Sequence, residues 1–209
     1  MFSLQRLLGR PTEFFGLLEA SAQLGVDAAV ALNQMVTHPG RQPSMDAFVT
    51  ARRKDKEVIL KLEEMLTHIF VTPMEREDLE QVAQGLYKIP KVVEKFAERY
   101  EFTWDKVATV DFSLAARFLE RACLVVQEMV KSLRTSGQLA DIKSLDARLS
   151  QIEADASHII MDGVRRLFLP ATPPLTAIIA KELFDVLSDA IDDCRDIGRA
   201  LALVVLKNS

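Results

Sequence analysis

Helical spacing of apolar residues, sustained well past the length of an average helix, is the feature that most limits the folds open to this chain. Apolar side chains recur at i, i+3, i+4 and i+7, and alternating strand-like stretches are absent. Eight glycines and eight prolines are few for 209 residues, and most fall at breaks between periodic segments. Six helices are predicted. The first runs from about Thr12 to Val36 and stops at HPGRQPS, where Pro39, Gly40 and Pro43 break it. The second spans about Ser44 to Phe70. The third opens with Thr72 as N-cap, Pro73 at N1 and Glu75 at N3, and reaches about Tyr100 with a kink expected at Pro90. Asp111 or Ser113 caps a fourth that ends near Arg134. The fifth covers about Leu139 to Phe168, and Thr172–Pro173 start a sixth that lasts to about Leu206.

Helices of roughly 25 residues joined by short loops make antiparallel bundles. The expected fold is therefore all-α, with six long antiparallel helices in two tandem three-helix bundles, 1–105 and 106–209, joined near 101–111. HIFVTP at 68–73 and RLFLPATP at 166–173 both end a second helix and start a third with Thr-Pro, which marks an internal repeat.

A hydrophobic fraction of 49% is enough for an ordinary core. Net charge is −4 and neither half is basic, which argues against a nucleic-acid module. Cys123 and Cys194 form no disulfide framework and no thiolate metal spacing. The stretch MFSLQRLLGRPTEFF has neither a long apolar region nor a cleavage site, and no run of 18 apolar residues occurs. A soluble cytoplasmic protein is expected. A Gly-rich phosphate loop, HExxH and a nucleophile with its base are all missing, so catalysis is not expected. Phe14, Phe15, Phe70, Phe118 and Phe168 are read as core aromatics.

Two helix faces carry the remaining signal. In LFDVLSDAIDDCRD (183–196), Asp185, Asp189, Asp192 and Asp196 fall within an arc of about 60° on a helix. Leu183, Leu187, Ala190, Cys194, Ile197 and Leu201 fall opposite and are assigned to the core. Solvation of a wet face is the plainer explanation, favoured by Lys181 and Arg199 at the flanks; a multivalent cation or a basic partner is the sharper one. On the fifth helix Gln151, Asp155, His158 and Asp162 share a face, where carboxylate and imidazole at i,i+3 are usable metal donors. A Glu-x-x-His di-iron pair is absent.

IFVTPMERED (69–78), IEAD (152–155), KELFDVLSDAIDDCRDIGRAL (181–201) and the closing VVLKNS (204–209) resemble the PhoU-like phosphate-transport regulators, in particular the subgroup labelled Pit accessory proteins. The similarity runs through nearly the whole chain in the same order. It implies a pair of three-helix bundles and a non-enzymatic cytoplasmic partner of an inorganic phosphate transporter, peripheral at the inner face of the membrane, with a homo-oligomeric state, a dimer, in view. It also implies acidic motifs that hold iron or zinc. Here the second-half motif falls on Gln151 and Asp155, so a cation, if one binds, is expected between the fifth and sixth helices at Asp155, Asp185, Asp189 and Asp192. His158 is an extra ligand there that tilts the choice toward Fe or Zn. The alternative is a helical structural adaptor that keeps the fold without metal function. The first half departs from the pattern, with Arg52 and Lys56 at the two ligand positions of the second helix and Lys88, Lys91, Lys95 and Arg99 along the third. Those charges exclude a cation site there. They are expected to receive an anion instead: phosphate, an acidic tail of the transporter, or the acidic stripe of a second copy. Drift of a solvated face is the plainer alternative.

Overall fold

The computed structural model describes residues 4–38, 43–68, 75–134 and 139–207, and all the regular structure among them is helical. The helices are α1 (Leu4–Val36), α2 (Asp46–His68), α3 (Arg76–Thr103), α4 (Ser113–Arg134), α5 (Leu139–Leu167) and α6 (Pro174–Lys207). Each buries the stripe that its spacing predicts. On α6, Leu183, Leu187, Ala190, Cys194, Ile197 and Leu201 are all buried, and on α3 the stripe runs Leu79, Val82, Leu86, Ile89, Val93, Phe96 and Tyr100. Phe96, Tyr100, Phe112 and Phe184 form a ring cluster with centroids 4.8–6.1 Å apart, linking α3, the start of α4, and α6. Burying each such ring is worth about 1.5–3 kcal/mol.

The outer helices are α2, packed on α1 and α3, and α5, packed on α4 and α6. The inner four meet across the chain midpoint, α1 on α4 and α3 on α6, and one continuous cluster of buried residues joins both halves. Cross-helix contacts fix the directions. Glu19 meets Arg134 and Asn33 meets Glu120; Asp78 meets Lys207 and Arg99 meets Glu182; Arg52 meets Glu94 and Gln84 meets Glu63. The helices of each of these three pairs are antiparallel, so the C-terminal end of α3 and the N-terminal ends of α4 and α6 gather at one end of the molecule. Glycines permit close helix approaches at three places, Gly198 against Leu149, Gly163 against Phe184 and Gly85 against Ile197. A Cβ on Gly163 would stand 2.6 Å from Phe184 Cζ, and one on Gly85 would stand 2.7 Å from Ile197.

Several expectations are corrected. Helix α1 begins at Leu4, passing through Pro11, because a proline removes one intrahelical hydrogen bond without unwinding the flanking turns. Helix α3 begins at Arg76 with Glu75 as its N-cap residue and no side-chain cap, so Glu75 is not at N3; Thr72 and Pro73 lie outside the described residues. Glu75 instead binds Lys207. The helix continues unbroken past Pro90. Asp111 does cap α4, accepting the Ser113 N–H at 2.8 Å. Phe14 and Phe15 are buried and Phe118 is half-buried, whereas Phe168 is 72% exposed, because it follows the last residue of α5; Phe70 lies outside the described residues. Over Glu13–Val36, α1 is long and apolar enough by composition to cross a membrane, and 56% of that window is buried against other helices, as a core helix requires.

Candidate functional site

The acidic stripe of α6 lies where its spacing places it. Asp185, Asp189, Asp192 and Asp196 are exposed opposite the buried stripe. Its two ends are neutralised within the same helix, Lys181 to Asp185 at 2.6 Å and Arg199 to Asp196 at 3.1 Å. Asp189 and Asp192 in the middle have no cation within ion-pair distance among the described residues. Partial burial, followed by the carboxylates of Glu153, Asp189, Asp196 and Asp193, holds the Asp192 carboxyl above its ordinary range.

The fifth helix brings its donors level with this stripe but not onto it. Contacts of Arg195 with Glu153 and of Gly163 with Phe184 set the register, which places Asp155 beside the level of Asp192 and His158 beside that of Asp189. Asp155 accepts a hydrogen bond from Gln151 at 2.8 Å, and His158 is exposed. No three His, Cys, Asp or Glu side chains among the described residues converge enough to hold a metal ion. The donor set expected for Fe or Zn does not fit one in this arrangement. What α5 and α6 enclose instead is a groove of about 310 Å³ lined by Ser150, Ser157, Ser188, Glu153 and Asp192.

Beside that groove stands a buried cation, Arg195, which the two charged stripes do not include. Arg195 lies on the inner side of α6, its side chain 11% exposed, in ion pairs with Asp146 and Glu153 of α5; the Glu153 contact, from Nε, is 3.5 Å. The Nε–H has no hydrogen-bond partner of good geometry. Its spacing of four from Ile191 put it on the buried stripe, and that signal was legible. The first half holds a buried charge of opposite sign. Asp55 of α2 is fully buried, accepts from Ser21 Oγ at 2.9 Å and Arg52 at 3.3 Å, and is pushed up to about 6 by burial.

Arg52 is therefore not available for an incoming anion. It is consumed by Asp55, by Glu94 at 3.1 Å and by the Tyr87 hydroxyl at 3.1 Å, with its guanidinium 4.6 Å from the Tyr87 ring centroid. Arg99 faces Glu182 of α6 at 3.8 Å, and Lys88 lies across a groove from Asp193 and Asp196. Arg99 is thus paired with an acid of its own chain and Lys88 faces two across a groove, where the expected anions were phosphate, an acidic tail of the transporter or the acidic stripe of a second copy. Lys56, Lys91 and Lys95 remain exposed, and among the described residues they make no ion pair. The α2–α3 register set by Arg52–Glu94 and Gln84–Glu63 puts Lys56 level with Lys91, so these three form one basic face.

Glu75 and Asp78 on one side and Lys207 on the other, far apart in sequence, meet in space. Lys207 Nζ donates to Glu75 at 2.9 Å and to both Asp78 oxygens at 3.0 Å, tying the last turn of α6 to the first of α3. Cys123 and Cys194, buried on α4 and α6, lie with their sulfurs 3.8 Å apart as free thiols.

No family model matches the chain. It is 24% identical over 213 residues to the UPF0111 protein YkaA of Bacillus subtilis, covering 97% of this chain and 100% of that one. It is 21% identical over 208 residues to the "Putative pit accessory protein" of Rhizobium meliloti, covering 98% and 97%. A crystal structure of "a putative PhoU-like phosphate regulatory protein" from Shewanella oneidensis superposes with a TM-score of 0.72 at 17% identity, over 93% of this chain and 99% of that one. A second PhoU-like protein from the same organism gives 0.72 at 16% identity, over 92% and 96%. Over more than nine-tenths of its length, this chain has the fold of the PhoU-like proteins.

Proposed function

We propose that this chain is a regulatory or accessory protein of inorganic phosphate uptake, acting without catalysis by contact with a phosphate transporter at its cytoplasmic face. The observation that carries this reading is the end-to-end likeness to the Rhizobium meliloti protein of that name, together with the matching fold of phosphate regulatory proteins. Two features of the molecule agree with a contact role. Among the described residues, none of the serines that line the α5–α6 groove makes a hydrogen bond to a carboxylate or an imidazole. The face formed by Lys56, Lys91 and Lys95 offers unpaired cations to an acidic cytoplasmic segment of the transporter. Exposed ion pairs contribute about 0–1 kcal/mol each, so such a face sets register and salt sensitivity more than affinity. Metal has no part in this reading, since no three His, Cys, Asp or Glu side chains converge among the described residues.

Co-purification of the tagged chain with a phosphate transporter expressed beside it tests the contact. Recovery should be high at about 0.05 M salt and fall steeply by about 0.5 M as the screening length shrinks. Reversal of Lys56, Lys91 and Lys95 to Glu should abolish it. Equal recovery of parent and triple variant at every salt concentration would remove the basic face from the account.

A further inference from the structure

The basic face of Lys56, Lys91 and Lys95 adjoins a buried carboxylate. Asp55 directly precedes Lys56 on α2 and is fully buried. Glu94, which shares the Arg52 guanidinium with it, stands between Lys91 and Lys95 on α3. An ionised carboxylate has about four acceptor sites to fill. Among the described residues two donors reach Asp55: Ser21 Oγ of α1 at 2.9 Å and Arg52 Nη1 at 3.3 Å, the second long for a charge-assisted bond. Arg52 is held away from a closer approach. Its Nε donates to Glu94 and its Nη2 to the Tyr87 hydroxyl, both at 3.1 Å, and its centre lies 4.6 Å from the Tyr87 ring centroid.

One cation thus serves two acids, and the cluster carries a net negative charge whenever both are ionised. That charge opposes the three lysines beside it. Of the two acids Asp55 is the one without water, since the Glu94 side chain is 22% exposed. The groups that face it come from three helices. Helix α1 presents the neutral Ser21, α2 presents Arg52, and α3 presents Tyr87 and Glu94 through Arg52, with Glu98 acting on Glu94. Burial holds the Asp55 carboxyl at about 6, against the smaller downward pulls of Ser21 and Arg52. The Ser21 hydroxyl can turn from donor to acceptor, so the same contact suits the ionised and the neutral acid.

We propose that Asp55 is a proton-operated switch on the basic face: once neutral, it stops opposing Lys56, Lys91 and Lys95, and the face binds anions more tightly. The inference rests on the reading of that face as an anion-binding surface, and adds that its strength follows pH. Removing one unit of charge about 10 Å from a bound anion, at a screened protein surface, changes affinity by roughly three- to ten-fold.

The probe is methoxypyrene trisulfonate, a fluorescent anion whose charge is constant over the range used. It is titrated with the full chain at about 0.05 M salt and followed by fluorescence anisotropy. The parent should bind roughly three- to ten-fold more tightly at about pH 5 than at about pH 7.5, with a midpoint near 6. Asp55→Asn, a neutral isostere, should bind at the higher pH as tightly as the parent does at the lower. Ser21→Ala removes a bond that favours the ionised acid and should move the midpoint to higher pH. Circular dichroism checks that both variants keep their helices. The Lys56→Glu, Lys91→Glu, Lys95→Glu variant separates this inference from the reading beneath it. If that variant binds the probe as the parent does, the face takes no anion and both fail. If it has lost the probe, the face stands, and the switch is overturned by equal affinity of the parent at the two pH values. The switch is equally overturned if Asp55→Asn keeps the parent's pH dependence, or if the midpoint of Ser21→Ala does not move.

Discussion

Replacing Arg195 by Ala removes the one guanidinium enclosed between α5 and α6. Its side chain is 11% exposed, while those of its partners Asp146 and Glu153 are 30% and 33% exposed. Breaking a fully buried pair costs about 3–5 kcal/mol, because the remaining partner is left desolvated and unpaired. Here water reaches a third of each acid and returns part of that, so the expected loss is about 2–3 kcal/mol. A further contribution has the same sign. Glu153 already pushes the Asp192 carboxyl upward, and without Arg195 the two acids face each other unscreened. At about 2–4 °C per kcal/mol for a chain of this size, the melting temperature should fall by roughly 5–10 °C. Urea unfolding gives the free energy, and Arg199→Ala is the control. That residue is 58% exposed and pairs with an equally wet Asp196, so its removal should cost less than about 0.5 kcal/mol. The triple change Arg195→Met, Asp146→Asn, Glu153→Gln should recover most of the loss, since it removes the stranded charges together with their partner. If Arg195→Ala costs no more than Arg199→Ala, the claim that Arg195 holds α5 to α6 is wrong.

Asp55 should give a pH signature. Its folded value of about 6 lies above the ordinary 3.8, so its contribution to stability is fully present below pH 4 and is lost as pH rises through 6. Asp55→Asn has no such dependence, and its stability relative to the parent should improve by about 1–3 kcal/mol between pH 4 and 7, measured by urea unfolding at each pH. Gly163→Ala should destabilise the fold by about 1–2 kcal/mol, as the Cβ meets the buried Phe184 ring and the gain in helix propensity offsets only part of the overpacking; an unchanged melting temperature would show that Phe184 moves aside freely. Elemental analysis of protein purified without chelators should find Fe and Zn well below one per chain. Stoichiometric metal that Asp189→Ala removes would restore the α5–α6 site.

Helix order, the buried stripes and the breaks were legible because each rests on local spacing: one look at 183–201 separates its core side from its wet side correctly. Positions just beyond helix ends were not. Phe168 has the composition of a core residue and the location of a surface one, and only the exact last turn of α5 decides between them. The acidic and basic stripes were found, but their partners were not, since spacing along one helix carries no information on the register of its neighbour. That register turns Arg52 inward to Asp55 and Glu94, faces Lys88 and Arg99 with acids of α6, and leaves Lys56, Lys91 and Lys95 outside. The junction of Lys207 with Glu75 and Asp78 was invisible for the same reason, although both segments carried the likeness to the PhoU-like proteins. Arg195 and Asp55 are a different case: a charge on an apolar stripe was readable at once, and each asked for a buried partner.

Uptake of radiolabelled phosphate by cells lacking this chain tests the central claim most directly. Initial rates are measured across phosphate concentrations in the deletion strain, in the strain complemented with the parent, and in the strain complemented with the Lys56→Glu, Lys91→Glu, Lys95→Glu variant. Deletion should alter the rate several-fold, the parent should restore it, and the triple variant, expressed and folded to the same level, should not. Identical uptake in the deletion and parent strains at every phosphate concentration would contradict it.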